Sequence, residues 1–464
     1  FCYLKSTNIS IIVSVQTNVL GDIVPMCNDI SEILGIKVKN LKITQNLGLH
    51  VHKNVQALFY EGQLTYHPSA CECCGIKNDN HLIIKHGFRK TNVYMGLIFE
   101  RPAYLKLKKQ RFYCKACQRT FTAETPYIQP RCTISNEVKR MMTWKLSKVT
   151  SEKDIAESLC VSPSTVHRHL KVVSNSVKTH AHYVLPEHLA FDEFKSTKDV
   201  EGAMSFIYCD SVTHDIIDIL PDRRKHQLEA YFLKFSRKQR EKVKTVSIDM
   251  FPPYIALIQD LFPDAEIIID RFHIVQAINR EINRCRVQVM NGFRTKERPQ
   301  YNKLKRYWKL LLKAPIDLDR MIYQPYRLFK SWQSQYSLVQ YLLNLDETLK
   351  ETYETGHRLL SALKANDIQQ LRFILQDAKT KDTSKGLKRV IHTFIKYMPY
   401  ISSTMRHRHL TNGPIEGINN KIKLIKRVSY GYRNFWNFRN RILMISKIFV
   451  SEYKKRIKQQ NNVA

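Results

Sequence analysis

Two pairs of cysteines place the strongest constraint on how this chain can fold. Cys71 and Cys74 are separated by two residues, and so are Cys114 and Cys117 further along the chain. Two intervening residues let both sulfurs of a pair reach one metal ion, and two such pairs complete the tetrahedral set that Zn²⁺ prefers. Gly75 follows the first pair and permits the positive φ that such a turn needs. The spacing therefore predicts a structural zinc site.

The segment between the two pairs is rich in β-forming residues. Runs at 91–99 and 103–113 predict two strands, and the second run is strongly basic. We interpret residues 66–130 as a zinc ribbon whose basic strand contacts DNA. The basic side chains of that strand are Lys106, Lys108, Lys109 and Arg111. Two alternatives stay open: Cys73 replaces one of its neighbours as a ligand, or the pairs are redox-active, which the absence of a βαβ pattern disfavours.

The number and spacing of the cysteines indicate the redox compartment of the protein. The chain has eleven cysteines, an odd number, and most of them are scattered. This pattern does not form a disulfide framework and favours the reducing cytoplasm. No run of apolar residues is long enough to predict a membrane span. Polar residues interrupt the apolar stretch at the beginning of the chain, so we expect Met26 to be the natural start, residues 1–25 to be upstream sequence, and residues 26–65 to form an amino-terminal segment.

Residues 131–180 have the pattern of a helix-turn-helix. Apolar residues recur at helical spacing from Ile155, and Ser162 and Pro163 are typical of the N-cap and first position of a second helix. A preceding helix near residues 135–147 would complete a three-helix unit. The second helix would present four polar side chains to a DNA major groove, namely Ser164, Thr165, His167 and Arg168. A helical hairpin with no DNA-binding role is the alternative.

The charge balance points to a polyanionic partner. Lys and Arg number 75 against 41 Asp and Glu, and 75 − 41 gives a formal net charge of +34. Nucleic acid is the commonest partner of so basic a protein. Residues 421–464 alone contain twelve Lys or Arg and one acid, with aromatic residues between them. We expect DNA-backbone contacts from Lys421, Lys423, Lys426, Arg427 and Arg433.

Several acids stand at the ends of predicted strands. Asp192, Asp249 and Asp270 each follow a short apolar run, and Glu416 opens a basic helical segment. Acids that meet at strand ends can hold the divalent cations that phosphodiester cleavage requires. Bare carboxylates suit Mg²⁺. For any one of these acids, a strand-end cap is the alternative.

Taken in order, these motifs resemble a known family. The zinc ribbon and the helix-turn-helix precede Phe191–Phe194, Ser247–Met250 and Asp270–His273, which read FDEF, SIDM and DRFH. The run TNGPIEGIN follows from Thr411. The set is similar to transposases of bacterial insertion sequences of the ISL-three family. The resemblance extends from about Met26 to the carboxyl terminus.

The resemblance implies a multidomain α+β protein with an RNase H-like α/β catalytic domain. Its DDE triad would be Asp192, Asp249 and Glu416, holding two Mg²⁺ or Mn²⁺ ions. Asp270, His273 and Asn412 would be accessory. The implied partners are double-stranded DNA, as terminal inverted repeats and target, and a second copy of the chain in a synaptic complex. The implied location is the bacterial cytoplasm, at the nucleoid.

The interval between Asp249 and Glu416 is wide for a compact RNase H fold. Residues 281–396 lack strand alternation and carry helical patterns, so we interpret them as an all-α insertion between catalytic parts 187–280 and 397–464. Trp308 and Trp332 are expected to pack in the core of this insertion, with stacking on an unpaired base as the less favoured alternative. Glu193 would point to the sheet face opposite Asp192, which makes it a poor ligand.

The sequence thus predicts a DNA transposase that hydrolyses phosphodiester bonds and joins the freed 3′-hydroxyl to target DNA. A zinc-containing transcriptional regulator without catalysis is one rival. A nuclease that cuts without strand transfer is the other.

Overall fold

A computed structural model describes residues 34–36, 38–176 and 184–446 of the protein. The expectation about residues 1–25 and the last part of the basic carboxyl-terminal segment, from residue 447 on, lie outside the described residues. The chain divides into two compact units, residues 1–141 and 142–464.

The first unit is built on a five-stranded sheet. Its strands are β1 (Leu41–His52), β2 (Val55–Leu64), β3 (Ile83–Ile98), β4 (Arg101–Cys114) and β5 (Thr120–Thr122). The order is β1-β2-β4-β3 with β5 on β4; β2 and β4 are parallel and the other pairs antiparallel. Two-residue turns close the β1–β2 hairpin at Lys53 and Asn54 and the β3–β4 hairpin at Phe99 and Glu100. All four have positive φ, as the twist of a tight hairpin requires.

Three helices follow: α1 (Asn136–Leu146), α2 (Glu152–Ser158) and α3 (Pro163–Ser176). Ser151 begins α2 with a capping box, because its Oγ accepts from the Asp154 N–H at 3.0 Å while the Asp154 carboxylate accepts from the Ser151 N–H at 3.4 Å. Ser162 Oγ accepts from the Thr165 N–H at 3.3 Å, and Pro163 is the first residue of α3. Helix α3 thus begins where the sequence predicts it.

The second unit contains a second five-stranded sheet. Its elements are β6 (His188–Lys195), β7 (Met204–Asp210), β8 (Ile216–Leu220), α4 (Lys225–Phe232), α5 (Arg237–Arg240), β9 (Thr245–Ile248), α6 (Pro252–Leu261) and β10 (Glu266–Ile269). The order is β10-β9-β6-β7-β8. Strands β6, β7 and β8 form an antiparallel meander, and β9 and β10 run parallel to β6. The three strands predicted before Asp192, Asp249 and Asp270 are therefore present as β6, β9 and β10.

From residue 271 to residue 446 the described chain is mainly helical. The helices are α7 (Arg271–Lys296), α8 (Arg298–Arg306), α9 (Trp308–Leu311), α10 (Gln335–Leu343), α11 (Glu347–Ala365), α12 (Ile368–Asp377), α13 (Lys385–Lys396), α14 (Met398–Arg406) and α15 (Gly413–Val428). Residues 435–446 form a further helix, α16. None of the described helices combines the length and apolar character that a membrane span requires.

Helix α7 joins two apolar cores. Its first half buries Ile274 and Ile278 in the core beneath the sheet, whereas its second half buries Cys285 and Met290 in a separate core with α10 and α11. The helix therefore passes the predicted boundary at residue 281 without a break. A Cβ at Gly356 would lie 2.7 Å from Ile282, so α11 packs closely on α7 only because this position has no side chain.

The two tryptophans of the helical segment do not pack as expected. Trp308 is 37% exposed and Trp332 is 65% exposed, so the expectation that both belong to the core is wrong. Leucines such as Leu304 and Leu338 fill the core of this segment instead. Trp332 lies in the irregular stretch between α9 and α10, where no neighbouring helix covers it.

The sheet of the second unit is covered on both faces. Phe191 and Phe206 pack on one face with residues of α4, α6 and α7. Ala190, Phe194 and Ile207 pack on the other face with residues of α15 and α16. Along β6, neighbouring side chains therefore point to different helical layers, which determines what Asp192 and Glu193 within this strand can reach.

Candidate active site

The four paired cysteines lie in two knuckles with matching backbones. The Gly75 N–H donates to the Cys71 carbonyl at 2.8 Å, and the Gln118 N–H donates to the Cys114 carbonyl at 2.9 Å. Gly75 and Gln118 have φ values of 74° and 57°. Both turns are thus closed by the same type of backbone hydrogen bond, and in each the residue that donates it has a positive φ. The second knuckle does so without a glycine.

The sulfurs of the two knuckles fit a tetrahedral zinc ion. Cys71 Sγ lies 3.8 Å from Cys117 Sγ, and Cys74 Sγ lies 3.9 Å from Cys114 Sγ. All four sulfurs lie within 4.8 Å of one another. Zn–S bonds of about 2.3 Å in a tetrahedron separate the sulfurs by about 3.8 Å, so the spacing matches. Cys73 is exposed and outside this group. Burial acts to raise the pKa of Cys71, but hydrogen bonds from the Cys73 and Cys74 N–H groups and with the Cys74 and Cys114 thiols together lower it.

Three aspartates form a row on the second sheet: Asp249 and Asp270 directly follow β9 and β10, whereas β6 continues to Lys195, beyond the strand end predicted at Asp192. Ala190 pairs with Ser247, so the same register continued by two residues places Asp192 beside Asp249. Ile269 pairs with Ile248, and the Asp270 N–H donates to the Ile248 carbonyl at 2.8 Å, which places Asp270 on the other side of Asp249. Neighbouring strands lie about 4.8 Å apart and paired side chains share a face. The row therefore concentrates negative charge on one face of the sheet.

Asp192 is held tightly at the centre of the site. Its Oδ1 accepts the Glu193 N–H at 2.7 Å, and its Oδ2 accepts from Asn419 Nδ2 at 2.7 Å. Burial raises the pKa of the Asp192 carboxyl to about 7, and the nearby charges of Asp249 and Glu193 act in the same direction. A divalent cation would offset this penalty on the ionised Asp192 carboxylate by supplying positive charge.

His273 connects two of the aspartates. Its Nε2 lies 3.1 Å from Asp249 Oδ1 and 4.0 Å from Asp270 Oδ2. The hydrogen bond with Asp249 raises the pKa of His273, against the opposing effect of burial. One ligand atom from each of these three residues falls within 4.8 Å of the others, so they too can approach a single cation.

Asp270 ties together the starts of two helices. Its carboxylate accepts the Phe272 N–H at 3.4 Å as the N-cap of α7, and it also accepts the N–H of Asn412, the N-cap of α15. It is 7% exposed, and burial raises its pKa. The Asp270 carboxylate therefore holds the starts of α7 and α15 together.

Helix α15 carries Glu416 between two residues that contact β6. Asn412 Nδ2 donates to the Phe191 carbonyl at 3.3 Å, and Asn419 Nδ2 donates to Asp192 as described above. Positions 412, 416 and 419 lie on one face of a helix, so Glu416 lies between two residues that contact β6. Glu416 is exposed, and no ion-pair partner for it exists among the described residues.

Asn419 is the site residue that the sequence did not reveal. It is 6% exposed, contacts Asp192, and donates to the Glu193 carbonyl at 3.3 Å. Its position three residues after Glu416 was the only available signal. Asn419 Oδ1 and Asn412 Oδ1 are buried and have no hydrogen-bond partner in the described part of the chain. These two acceptor oxygens suit a cation or its water ligands.

Glu193 lies on the other face of β6, as expected. The Tyr254 hydroxyl donates to its Oε2 at 3.1 Å, and Arg223 forms an ion pair with its Oε1. A cavity of about 320 Å³ adjoins this pair and reaches the site carboxylates. Gln276 and Arg280 of α7 line its far side. Since both Glu193 oxygens have donors, Glu193 anchors the wall of this cavity.

The polar residues predicted on α3 differ in accessibility. Ser164 and Arg168 are exposed, and Thr165 is half-buried and accepts from Arg168 at 3.3 Å. His167 Nδ1 lies 3.0 Å from Glu152 Oε2 at the start of α2. Ser164, Thr165 and Arg168 therefore lie near one another at the start of α3, whereas His167 is engaged with α2.

The basic residues predicted on β4 do not share one exposed face. Lys106 is exposed and lies over the Phe59 ring, and Lys108 pairs with Glu61 at 2.9 Å. Lys109 is 9% exposed, and burial lowers its pKa. Arg111 is half-buried. Lys106 is the most accessible of the four cations, and DNA contacts by this strand stay a prediction.

The basic residues after Glu416 are mostly at the surface. Lys421, Lys423, Arg427 and Arg433 are exposed. Lys426 instead donates to the Ser196 carbonyl at 2.6 Å, and burial lowers its pKa. Four of the five predicted cations are thus exposed: Lys421, Lys423 and Arg427 lie on the helix that carries Glu416, and Arg433 follows it.

Comparison with protein families decides what kind of protein carries this site. A family model described as "Transposase", of the ISL-three group, matches residues 189–442, which is more than half of the chain. The chain belongs to this transposase family. A second model, described as the zinc-finger of transposase IS204/IS1001/IS1096/IS1165, matches residues 67–117 of the transposase, the segment with the four cysteines.

Two curated proteins are similar to this transposase. The transposase for insertion sequence element IS1001 of Bordetella parapertussis is 27% identical over 339 residues, covering 73% of this chain and 80% of that protein. A Lactococcus lactis subsp. lactis protein named "ATP-dependent protease" is 32% identical over 107 residues, covering 23% of this chain and 34% of that protein. So short a match does not carry the second name over.

These matches confirm the prediction of an insertion-sequence transposase. The chain is thus an enzyme of the polynucleotidyl transferase and endonuclease type, and DNA is its substrate. A transcriptional regulator without catalysis is not supported. The cysteine cluster and its family match support a structural Zn²⁺.

Proposed function

We propose that the second unit contains an RNase H-like catalytic domain with Asp192, Asp249 and Glu416 as its triad. The sheet supports this assignment, because an antiparallel meander followed by two parallel strands brings Asp192 of β6 beside the end of β9. The observation that carries the proposal is the placement of Glu416 between Asn412 and Asn419, both of which contact β6 beside Asp192. Three acids distant in sequence thereby serve one site.

The donor set suits divalent cations, preferably Mg²⁺, with Mn²⁺ as a substitute. When bound, such ions activate the attacking oxygen of a phosphodiester reaction and stabilise the leaving oxygen. Asp192 is the central ligand because its carboxylate is buried, oriented and poor in positive charge. Asn419 fixes the Asp192 carboxylate, and His273 fixes that of Asp249. Asp270 and Asn412 hold the starts of α7 and α15 in place.

The proposed reaction has two stages. Water attacks the phosphodiester at each end of the element and frees a 3′-hydroxyl. That hydroxyl then attacks a phosphodiester of target DNA, and the bond to the target 3′-oxygen breaks. Joining two ends in one event requires two active sites, so we propose that two copies of the chain assemble with the ends.

The DNA-binding surfaces of the proposal lie in both units. Helices α2 and α3 form the helix-turn-helix, with Ser164, Thr165 and Arg168 directed to the major groove of the terminal inverted repeats. His167 would contribute only if its bond to Glu152 exchanged for one to DNA. The zinc ribbon contributes backbone contacts, of which Lys106 is the most accessible. Lys421, Lys423, Arg427 and Arg433 contact the backbone beside the site.

The test is a cleavage assay with the full chain, DNA containing the element ends, and Mg²⁺. Wild type is expected to cut at the ends and to produce strand-transfer products, whereas Asp192→Asn and Glu416→Gln abolish both. Glu347→Gln is the matched control, because this carboxylate is 76% exposed on the helical segment. Cleavage that survives in both site variants would disprove the triad. Cleavage without strand transfer would favour the nuclease.

A further inference from the structure

A fully buried arginine joins two parts of the second unit. Arg441 of α16 is 0% exposed. Its Nη1 donates to the Leu146 carbonyl, and its Nη2 donates to the Lys148 and Thr150 carbonyls at 3.1 and 2.9 Å. These carbonyls lie at the end of α1 and in the linker to α2. One guanidinium therefore donates to the carbonyl of Leu146, the last residue of α1, and to two carbonyls of the linker. The last carbonyls of a helix have no partner within the helix.

Burying the charged Arg441 side chain costs free energy, and the directional hydrogen bonds of its guanidinium are what this residue offers in return. No carboxylate forms an ion pair with Arg441 in the described part of the chain, and its buried Nε has no hydrogen-bond partner. Burial lowers the pKa of the guanidinium, which means that its charged form is penalised there. Methionine would fill much of the same volume without that cost. What arginine adds is a rigid fork that grips three carbonyls at once.

The helix that carries Arg441 is itself fixed to the catalytic sheet. The Phe435 N–H donates to Asp199 Oδ2 at 2.9 Å at the beginning of α16. Arg439 Nε donates to the carboxylate of Asp218 and to the carbonyl of Ile219, each at 3.0 Å. Apolar residues of α16 pack with α15 against one face of the sheet and complete the core there. Helix α16 therefore cannot shift without disturbing β8 and that core.

The three helices at the other end of this connection hold one another. Thr143 Oγ1 of α1 lies 2.8 Å from His169 Nε2 of α3. Glu152 Oε2 of α2 lies 3.0 Å from His167 Nδ1 of α3. A group that grips the end of α1 and the linker to α2 thus fixes the position of α3 as well.

We infer that Arg441 is a positioning residue that sets the distance between the DNA gripped by α3 and the phosphodiester that is cut. The inference rests on the proposed role of α3 and of the carboxylates, and it adds the group that couples them. A transposase must cut its ends at a fixed distance from the sequence that it recognises. Three hydrogen bonds from one buried guanidinium keep that distance constant.

The first test needs no DNA. Hydrogen exchange is measured for the full chain as wild type, Arg441→Met, Arg441→Lys and the control Arg389→Met, which removes an exposed guanidinium from α13. In Arg441→Met, amides of residues 142–176 are expected to exchange at least tenfold faster, while those of β6, β7 and β9 keep their protection. Arg441→Lys should recover part of the loss, and the control should change neither. Uniform loss across both regions, or no loss, would overturn the inference.

The second test maps the cut. On DNA containing an element end, Arg441→Met is expected to bind within threefold of wild type but to spread its cuts over several phosphodiesters. A single unchanged cut position would overturn the inference. If Arg441→Met does not fold, two glycines inserted after Lys148 loosen the same connection with Arg441 in place, and the same spread is expected. If wild type itself does not cut, the proposed function fails and the role of Arg441 in cut placement fails with it, whereas the hydrogen-exchange result still shows whether Arg441 holds residues 142–176.

Discussion

The zinc knuckles and the carboxylate site draw their ligands from the chain in different ways. The knuckles need only two stretches of four residues, and each closes by its own backbone hydrogen bond. The carboxylate site takes residues from β6, from the ends of β9 and β10, and from α15, which are spread between residues 192 and 416. Its geometry exists only when the sheet and its covering helices have assembled.

The two sites also differ in what the ion contributes. In the first unit, zinc binding is coupled to folding, because an unfolded chain does not hold four thiolates together. In the second unit, the apolar cores are extensive, and the row of aspartates is a local electrostatic cost that the fold supports. We therefore expect losses at the first site to affect structure and losses at the second to affect chemistry.

The largest expected effect comes from removing a zinc ligand. Cys114→Ser should release the zinc and unfold the ribbon, since structural zinc supplies on the order of 10 kcal/mol in zinc-dependent modules. Zinc content and thermal unfolding would measure this. Cys73→Ser is the control and should keep one zinc per chain. Full zinc content in Cys114→Ser would show that the ribbon does not depend on all four thiolates.

Replacing the central carboxylate should separate activity from stability. Asp192→Asn removes a buried charge, so cleavage should fall by at least about 100-fold while the melting temperature stays the same or rises. A DNA cleavage assay and a thermal melt of the same preparation would check this. A large loss of stability would contradict the difference proposed between the two sites.

The residue beside that carboxylate should have a smaller effect. Asn419→Leu removes the hydrogen bond to Asp192, and losing a bond to a charged group costs about 1.5–3 kcal/mol. Cleavage should then fall roughly ten- to a hundredfold, with unchanged affinity for DNA in a gel-shift assay. Asn420→Leu, at the neighbouring exposed position, is the matched control. Equal losses in the two variants would remove Asn419 from the site.

The smallest expected effect is a pH dependence of cation binding. The pKa of the Asp192 carboxyl is raised to about 7, so below pH 7 a proton competes with the cation and above it the carboxylate is free. Affinity for Mn²⁺ should therefore rise about tenfold between pH 6 and pH 8. Calorimetry would measure it, and Asp192→Asn should abolish the slope. A slope that persists in the variant would assign it to another group.

The sequence by itself determined the local features. The spacing of the four cysteines, the helix-start signals at Ser162 and Pro163, and the apolar runs before Asp192, Asp249 and Asp270 each depend on neighbouring residues. For this reason they could be predicted from the sequence alone. The ordered motifs also sufficed for the family. The side of the sheet that Glu193 faces followed from strand alternation alone.

Only the tertiary structure decided which distant residues meet. Strand register places Asp270 in the same row as Asp192 and Asp249, and the seating of α15 brings Asn419 to Asp192. The buried position of Arg441, like the exposure of Trp332, depends on which helices pack on which faces. Local sequence contains no signal for such contacts, because they arise from the packing of elements that are far apart in the chain.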